Sequence, residues 1–185
     1  MPSSTAPTLS PHVLRVLPWL VAVAMFMEGL DISILNTAVP VIGRDLGTTA
    51  LSLKSVLTTY TLALAIFIPV SGWVADKYGT RRVFRMAVAL FTIGSLLCGL
   101  SMNLPMLVAS RFVQGVGGAM MVPVGRIALI RAYPRSQMLT MMNYVVIPAL
   151  VAPLVGPFIG GFMVHWLPWR TIFFVNLPIG VVGWW

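Results

Sequence analysis

Five long apolar runs joined by short polar stretches dictate what this chain can become: residues 17–41, 55–75, 83–101, 106–127 and 137–164. Each matches or approaches the roughly 20 residues that a helix needs to cross a hydrocarbon core about 30 Å thick. Inside that core no water is available to peptide groups, so a spanning segment must satisfy its own backbone, which favours helices. A sixth apolar run, residues 171–185, has 15 residues, or about 22 Å as a helix. It is therefore expected to be an incomplete span, and its end an unusual place for a whole protein to stop. Only 9% of the residues are charged and 58% are hydrophobic, whereas a soluble domain carries about 25% charged residues. The fold class expected is an all-α integral membrane protein. Residues 1–16 are expected to form a polar, Ser-, Thr- and Pro-rich tail, with disorder expected over residues 1–13, and residues 17–185 the helical body. The first run contains two acids, Glu28 and Asp31, and lacks a small-residue cleavage site, so it is a retained span and not a secretory signal.

Orientation follows from where the bases lie. The net charge of +8 is not that of a nucleic-acid reader, because the bases occupy short joints and no basic face interleaved with aromatics is present. Eight of the twelve Lys and Arg residues (Arg15, Lys77, Arg81, Arg82, Arg85, Arg126, Arg131 and Arg135) fall on one side of the alternating spans. Arg44, Lys54 and Arg170 fall on the other side, and Arg111 lies within a span. Cytoplasmic loops collect Lys and Arg, so the tail and the 72–85 stretch are assigned to the cytoplasm of a multi-pass protein in the cell's inner (plasma) membrane. In that stretch Asp76 has Arg81 or Arg82 as a partner, and Gly72 and Gly79 permit a tight turn. The outer joint at residues 165–170 places Trp166 and Trp169 at the interface.

The residues that can do chemistry are few. Glu28, Asp31 and Arg111 sit where lipid is expected, and a charge there costs at least about 2.5–3.5 kcal/mol, so each is expected to face protein or water. Glu28 and Asp31 are three apart and share a helix face, where two carboxylates resist joint ionisation, a property suited to proton uptake and release. Arg111 is a fixed positive charge within reach of Asp31. Cys98 is the only cysteine and sits in an apolar run, so no disulfide or thiolate metal site is expected. His12 and His165 are isolated, and no phosphate-cradling loop is present. No catalytic residue, metal or cofactor is expected, and the chain is not read as an enzyme. Gly115, Gly117 and Gly118 on one run, and Gly156, Gly160 and Gly161 on another, allow close helix approach; Pro153 and Pro157 can kink the latter. Pro69, Gly72 and Arg82 recur as Pro157, Gly160 and Arg170 at an offset of 88, on spans of opposite direction, the pattern of an inverted repeat.

Several of these stretches resemble motifs of one family. Gly72-x3-Asp76-x2-Gly79-x-Arg81-Arg82 resembles the loop signature between the second and third helices of the major facilitator superfamily, with Thr80 where a basic residue is usual. The segment from Leu30-Asp31-Ile32-Ser33 to Val39-Pro40 is similar to the first-helix signature of its fourteen-span drug:proton antiporter branch. Arg111-x2-Gln114-Gly115-x-Gly117-Gly118-Ala119 resembles the fourth-helix motif, whose Arg is implicated in proton coupling. Gly156-Pro157-x2-Gly160-Gly161 resembles the antiporter motif of the fifth, with Ala152 where its leading Gly is usual. Trp169-Arg170-x-Ile172-Phe173-x2-Asn176-x-Pro178-Ile179-Gly180 resembles the start of the sixth. The resemblance implies the N-terminal six-helix half of a major facilitator fold, and a proton-coupled secondary transporter exporting drugs by alternating access. Asp31, Arg111 and Glu28 would carry the proton coupling, Glu28 standing outside the family pattern. Gly72, Asp76, Gly79, Arg81 and Arg82 would form the conformational-switch loop. The implied partners are the lipid bilayer, protons, a small hydrophobic or amphipathic substrate, and a missing C-terminal half or a second copy. The alternative is a non-transporting truncated or accessory membrane protein that binds a partner transporter.

Overall fold

A computed structural model describes residues 11–184, apart from the side chains of residues 11, 12, 50 and 184. The N-terminal part of the expected tail and the His12 side chain lie outside the described residues. Helix α1 spans Pro11–Asp45, α2 Ala50–Tyr78, α3 Thr80–Gly99, α4 Leu104–Ala132 and α5 Met138–Trp166. All five contain windows apolar enough, and run long enough, to cross a membrane. The sixth apolar run forms two short helices, α6 Thr171–Phe174 and α7 Asn176–Trp184, broken at Val175. No strand occurs among the described residues.

The helices overrun the apolar windows read from the sequence. At 35 residues α1 is about 52 Å long, so it tilts or projects beyond a core of about 30 Å. It begins at Pro11, inside the stretch expected to be tail. Local signals set the other starts. The Thr49 hydroxyl accepts from the Ser52 amide at 3.1 Å, and Asn103 caps α4 by accepting from the Met106 amide at 2.9 Å. Gly79 alone joins α2 to α3, with φ +87°, a conformation that glycine adopts without a Cβ penalty.

Packing pairs α1 with α5 and sets α4 against both α2 and α3, while α7 lies on α3 and α1. Exchanging the first three helices for the second three turns the α1–α5 pair into the α4–α2 pair, as an inverted repeat requires. Small residues set both contacts. On α5, Ala152, Gly156 and Gly160 meet Gly29, Ser33 and Ile34 of α1. On α4, Gly115 meets Tyr60 and Ala63 of α2, and Gly117 meets Phe91 and Ala87 of α3. Pro157 turns outward, yet it matters through the amide it lacks. It leaves the Pro153 carbonyl without its helical donor, and the Ser33 hydroxyl of α1 donates to that carbonyl at 3.2 Å.

Three expectations about glycine and aromatic positions need correction. Gly72 lies inside α2 with open space around it, so it makes no turn. Gly161 likewise turns its missing side chain to open space: a Cβ there would meet nothing within 4 Å. Trp169 is buried within the protein and does not face lipid: it packs in an apolar cluster, and its indole donates to Asp45 at 2.7 Å.

Candidate functional site

The core falls into two apolar clusters, and the charged site occupies the gap between them. Along α1 the first cluster runs from Val21 to Met27 and the second from Leu30 to Ile42. Along α4, Leu107 belongs to the second cluster and Met121 to Leu129 to the first. Asp31 and Arg111 sit at these changeovers, and the structure brings them together. Arg111 Nη1 donates to Asp31 Oδ2 at 2.6 Å, with the two side chains 1% and 2% exposed. A charge this deep requires a partner, since an uncompensated ion in a low-dielectric interior costs several kcal/mol.

Neutral polar residues complete the shell, and two of them, Gln114 and Asn176, stand in the motifs of the sequence without an expected role. The Gln114 carbonyl accepts from Arg111 at 2.7 Å, and its amide donates to Asp31 Oδ1 at 2.9 Å. Asn176, the first residue of α7, donates to the same Oδ1 at 2.8 Å and to Ser95 Oγ at 2.9 Å. The Ser95 hydroxyl in turn donates to the Phe173 carbonyl at 2.8 Å. The Cys98 thiol donates to Gln114 Oε1 at 3.5 Å, so the buried cysteine is a member of the shell as well as a packing group. The Arg111 guanidinium lies over the Tyr60 ring at 4.2 Å, a cation–π contact that offsets part of its desolvation. Its Nε has no partner. Tyr60 also reaches Glu28, its hydroxyl lying 3.4 Å from Oε1. Glu28 thus joins the site at one remove, through Tyr60 and not through Asp31. The available signal was the polar residues themselves: Ser95, Gln114 and Asn176 interrupt otherwise apolar runs.

At the two membrane faces, ion pairs tie helix ends to joints. Asp76 pairs with Arg131 at the end of α4, and not with Arg81 or Arg82 as expected. Arg81 and Arg82 sit exposed in the first turn of α3. Arg131 also donates to the Thr80 hydroxyl at 2.9 Å, so the residue standing where a base is usual receives a base from elsewhere. On the opposite face, Asp45 at the end of α1 accepts from Trp169 and, at 3.1 Å, from Arg170. Arg170 stacks on Trp169 at 4.4 Å and donates to the Ser101 carbonyl at 3.2 Å. The two clamps are counterparts under the inverted repeat with their charges exchanged: an acid in the last turn of α2 meets a base ending α4, and a base in the α5–α6 joint meets an acid ending α1. No cluster of His, Cys, Asp and Glu able to hold a metal occurs among the described residues.

The sequence profile of the Major Facilitator Superfamily matches residues 21–185. A putative multidrug resistance protein MdtD from Serratia proteamaculans is 47% identical over 165 residues, which is 89% of this chain and 35% of that protein. The namesake protein of Yersinia enterocolitica is 47% identical over 170 residues, 92% of this chain and 36% of its own length. The chain therefore spans about a third of these curated relatives. Among solved structures, the proton:xylose symporter XylE superposes with a TM-score of 0.82 at 12% identity, covering 95% of this chain and 44% of that one. A bacterial homologue of the lysosomal transporter Spinster gives 0.71 at 14% identity, covering 95% and 42%. At such identities the two structures speak for the fold alone.

Proposed function

The chain belongs to the Major Facilitator Superfamily, a family of transporters and not of enzymes, and from that premise we propose that it forms the N-terminal portion of a proton-coupled exporter of small hydrophobic or amphipathic molecules. The observation that carries the reading is the buried Asp31–Arg111 pair with its polar shell, where α1, α4 and α7 converge. An intramembrane ion pair is costly to keep and marks a pathway for ions or substrate. A proton moves on and off Asp31, and Glu28 beside Tyr60 serves as a second carboxylate on the same helix. Gly79 and the Asp76–Arg131–Thr80 clamp brace the joint whose rearrangement switches access, with Arg81 and Arg82 on its exposed edge. The exposed faces of α2 and α5, with Leu62 and Ile66 on one and Leu154 and Phe158 on the other, line the side where a C-terminal half or a second copy closes the cavity. The MdtD relatives are described as multidrug resistance proteins, which supports drugs as the substrate class.

The test joins this chain in frame to the part of the Serratia relative beyond the matched segment, in cells stripped of their own efflux pumps. Dye export should follow an imposed proton gradient and stop when a protonophore collapses it. Export indifferent to the gradient, or none from protein present in the membrane, refutes the proposal.

Orientation is proposed from the charge asymmetry, with the N-terminus and the 72–85 stretch in the cytoplasm. Cysteines at Thr80 and at Asn103, each in a Cys98→Ala background, report it through an impermeant thiol reagent added outside. Position 103 should label and position 80 should not; the opposite pattern inverts the topology.

A further inference from the structure

We propose that Asn176 ties the protonation of Asp31 to the placement of the sixth segment, so that a proton settles on the carboxylate more readily when α7 withdraws its amide. The inference rests on the proton-carrying role given to Asp31 above and adds the group that controls it.

Asp31 Oδ2 accepts from Arg111, and Oδ1 accepts from both Gln114 and Asn176. All three contacts are N–H donors, and neither a guanidinium nor an amide nitrogen has a lone pair to give. The shell is therefore complementary to a carboxylate. Oδ2 keeps a second lone pair on which a proton can land, but the resulting O–H would find no acceptor among these nitrogens and would weaken the bonds they donate, so the loss of one donor favours protonation. The step moves one proton from water to the carboxylate with no other reactant, and the accompanying withdrawal of Asn176 breaks one N–H···O hydrogen bond.

The three donors are not equally free to leave. Arg111 and Gln114 lie three residues apart on α4, hydrogen-bond each other at 2.7 Å, and belong to the helix that packs between α2 and α3. Turning the Gln114 amide over would present its oxygen to Asp31, but would forfeit the bonds that oxygen accepts from Arg111 and Cys98. Asn176 has no such ties to α4. It follows the break at Val175, opens a nine-residue helix, and its second amide hydrogen goes to Ser95 on α3. A small shift of α7 along α3 thus removes one donor and leaves the ion pair intact. The outer clamp of Trp169 and Arg170 on Asp45 holds the start of this segment, so α7 pivots beyond a fixed end. The ionisable groups around Asp31 are Glu28 on its own helix, Tyr60 from α2, Cys98 from α3 and Arg111 from α4. The ionisable residues of α5, Tyr144 and His165, lie toward its two ends, and α6 and α7 have none.

The test needs no transport. The 185-residue chain carrying Glu28→Gln is reconstituted in phosphatidylcholine liposomes and treated with dicyclohexylcarbodiimide, which adds to protonated carboxyl groups in apolar surroundings. Mass spectrometry reads the Asp31 adduct between pH 5 and pH 9. Labelling should fall as pH rises. Adding Asn176→Ala should displace the curve toward alkaline pH and raise labelling at pH 7.5 by about tenfold, one pH unit's worth. Asn176→Gln, which keeps the amide on a longer arm, should fall between the two. Ser95→Ala, which frees the amide's other anchor, should move the curve the same way by less. Accessibility of Cys98 to a thiol reagent monitors folding; if Asn176→Ala exposes it, Asn176→Gln and Ser95→Ala carry the test. Variant curves that superimpose on the parent curve overturn the inference while Asp31 keeps its role. A parent that never labels at any pH refutes the proton-carrying role itself.

Discussion

With asparagine at position 31, proton-driven export by the fused protein should disappear, and the helix bundle should lose about 3–5 kcal/mol of stability. The two effects have different causes and can be separated. Removing the Asp31 charge leaves Arg111, 1% exposed, as a cation with no counter-ion in contact, held only by Gln114 and the face of Tyr60. Breaking one half of a buried pair strands the other charge, whereas replacing both by neutral groups of similar size is much less damaging. Asp31→Asn combined with Arg111→Leu should therefore recover most of the lost stability, and none of the transport. Stability is read from unfolding of the chain in mixed micelles of rising dodecyl sulfate content, and transport from the dye assay. Glu28→Gln should reduce transport less than Asp31→Asn does, because Glu28 meets the shell only through Tyr60. Retained proton coupling in Asp31→Asn would remove that residue from the mechanism. A double variant no more stable than the single one would show that the charge of Arg111 is not what the bundle pays to bury.

The large-scale fold was legible because the membrane imposes it. Apolar runs of sufficient length have one outcome in lipid, so the five helices appear where the runs are, extended by polar turns that no hydropathy window includes. Asp31 and Arg111 were legible for a related reason: two opposite charges among apolar residues have few partners but each other. The pairing of Asp76 was not. Arg81 and Arg82 are near in sequence but stand exposed in the first turn of α3, while Arg131, 55 residues away, closes on Asp76. Neutral shell members escaped for a different reason. A Gln or Asn in a span declares that it needs a partner without saying which, and the Asn176–Asp31 contact crosses 145 residues. The Asp45–Arg170 clamp likewise joins the ends of elements 125 residues apart, and its two members looked like separate loop charges.

Alanine at Gly94 should cripple the bundle, whereas alanine at Gly161 should leave it unharmed or slightly more stable, although it was Gly161 and not Gly94 that stood in a motif. A Cβ on Gly94 would lie 2.5 Å from the Gln114 Cα and 2.6 Å from its nitrogen, both backbone atoms that no rotamer change can move. Gly117 is the reciprocal contact, closing on Phe91 of α3. Relief requires α3 and α4 to separate, and overpacking of this kind costs about 1–3 kcal/mol or more. It also carries Gln114 away from Asp31, so a Gly94→Ala protein that still folds should lose transport as well. A Cβ on Gly161 would meet nothing within 4 Å, so its added methyl enters open space and the exchange of glycine for alanine within a helix gains about 0.5–1 kcal/mol. Gly72, equally open in α2, should behave like Gly161 in this chain. The same dodecyl sulfate titration measures all three variants. A loss at Gly161 or Gly72 comparable to that at Gly94 would mean that their faces are covered in the folded protein, and that the chain associates through α2 or α5 with another copy of itself.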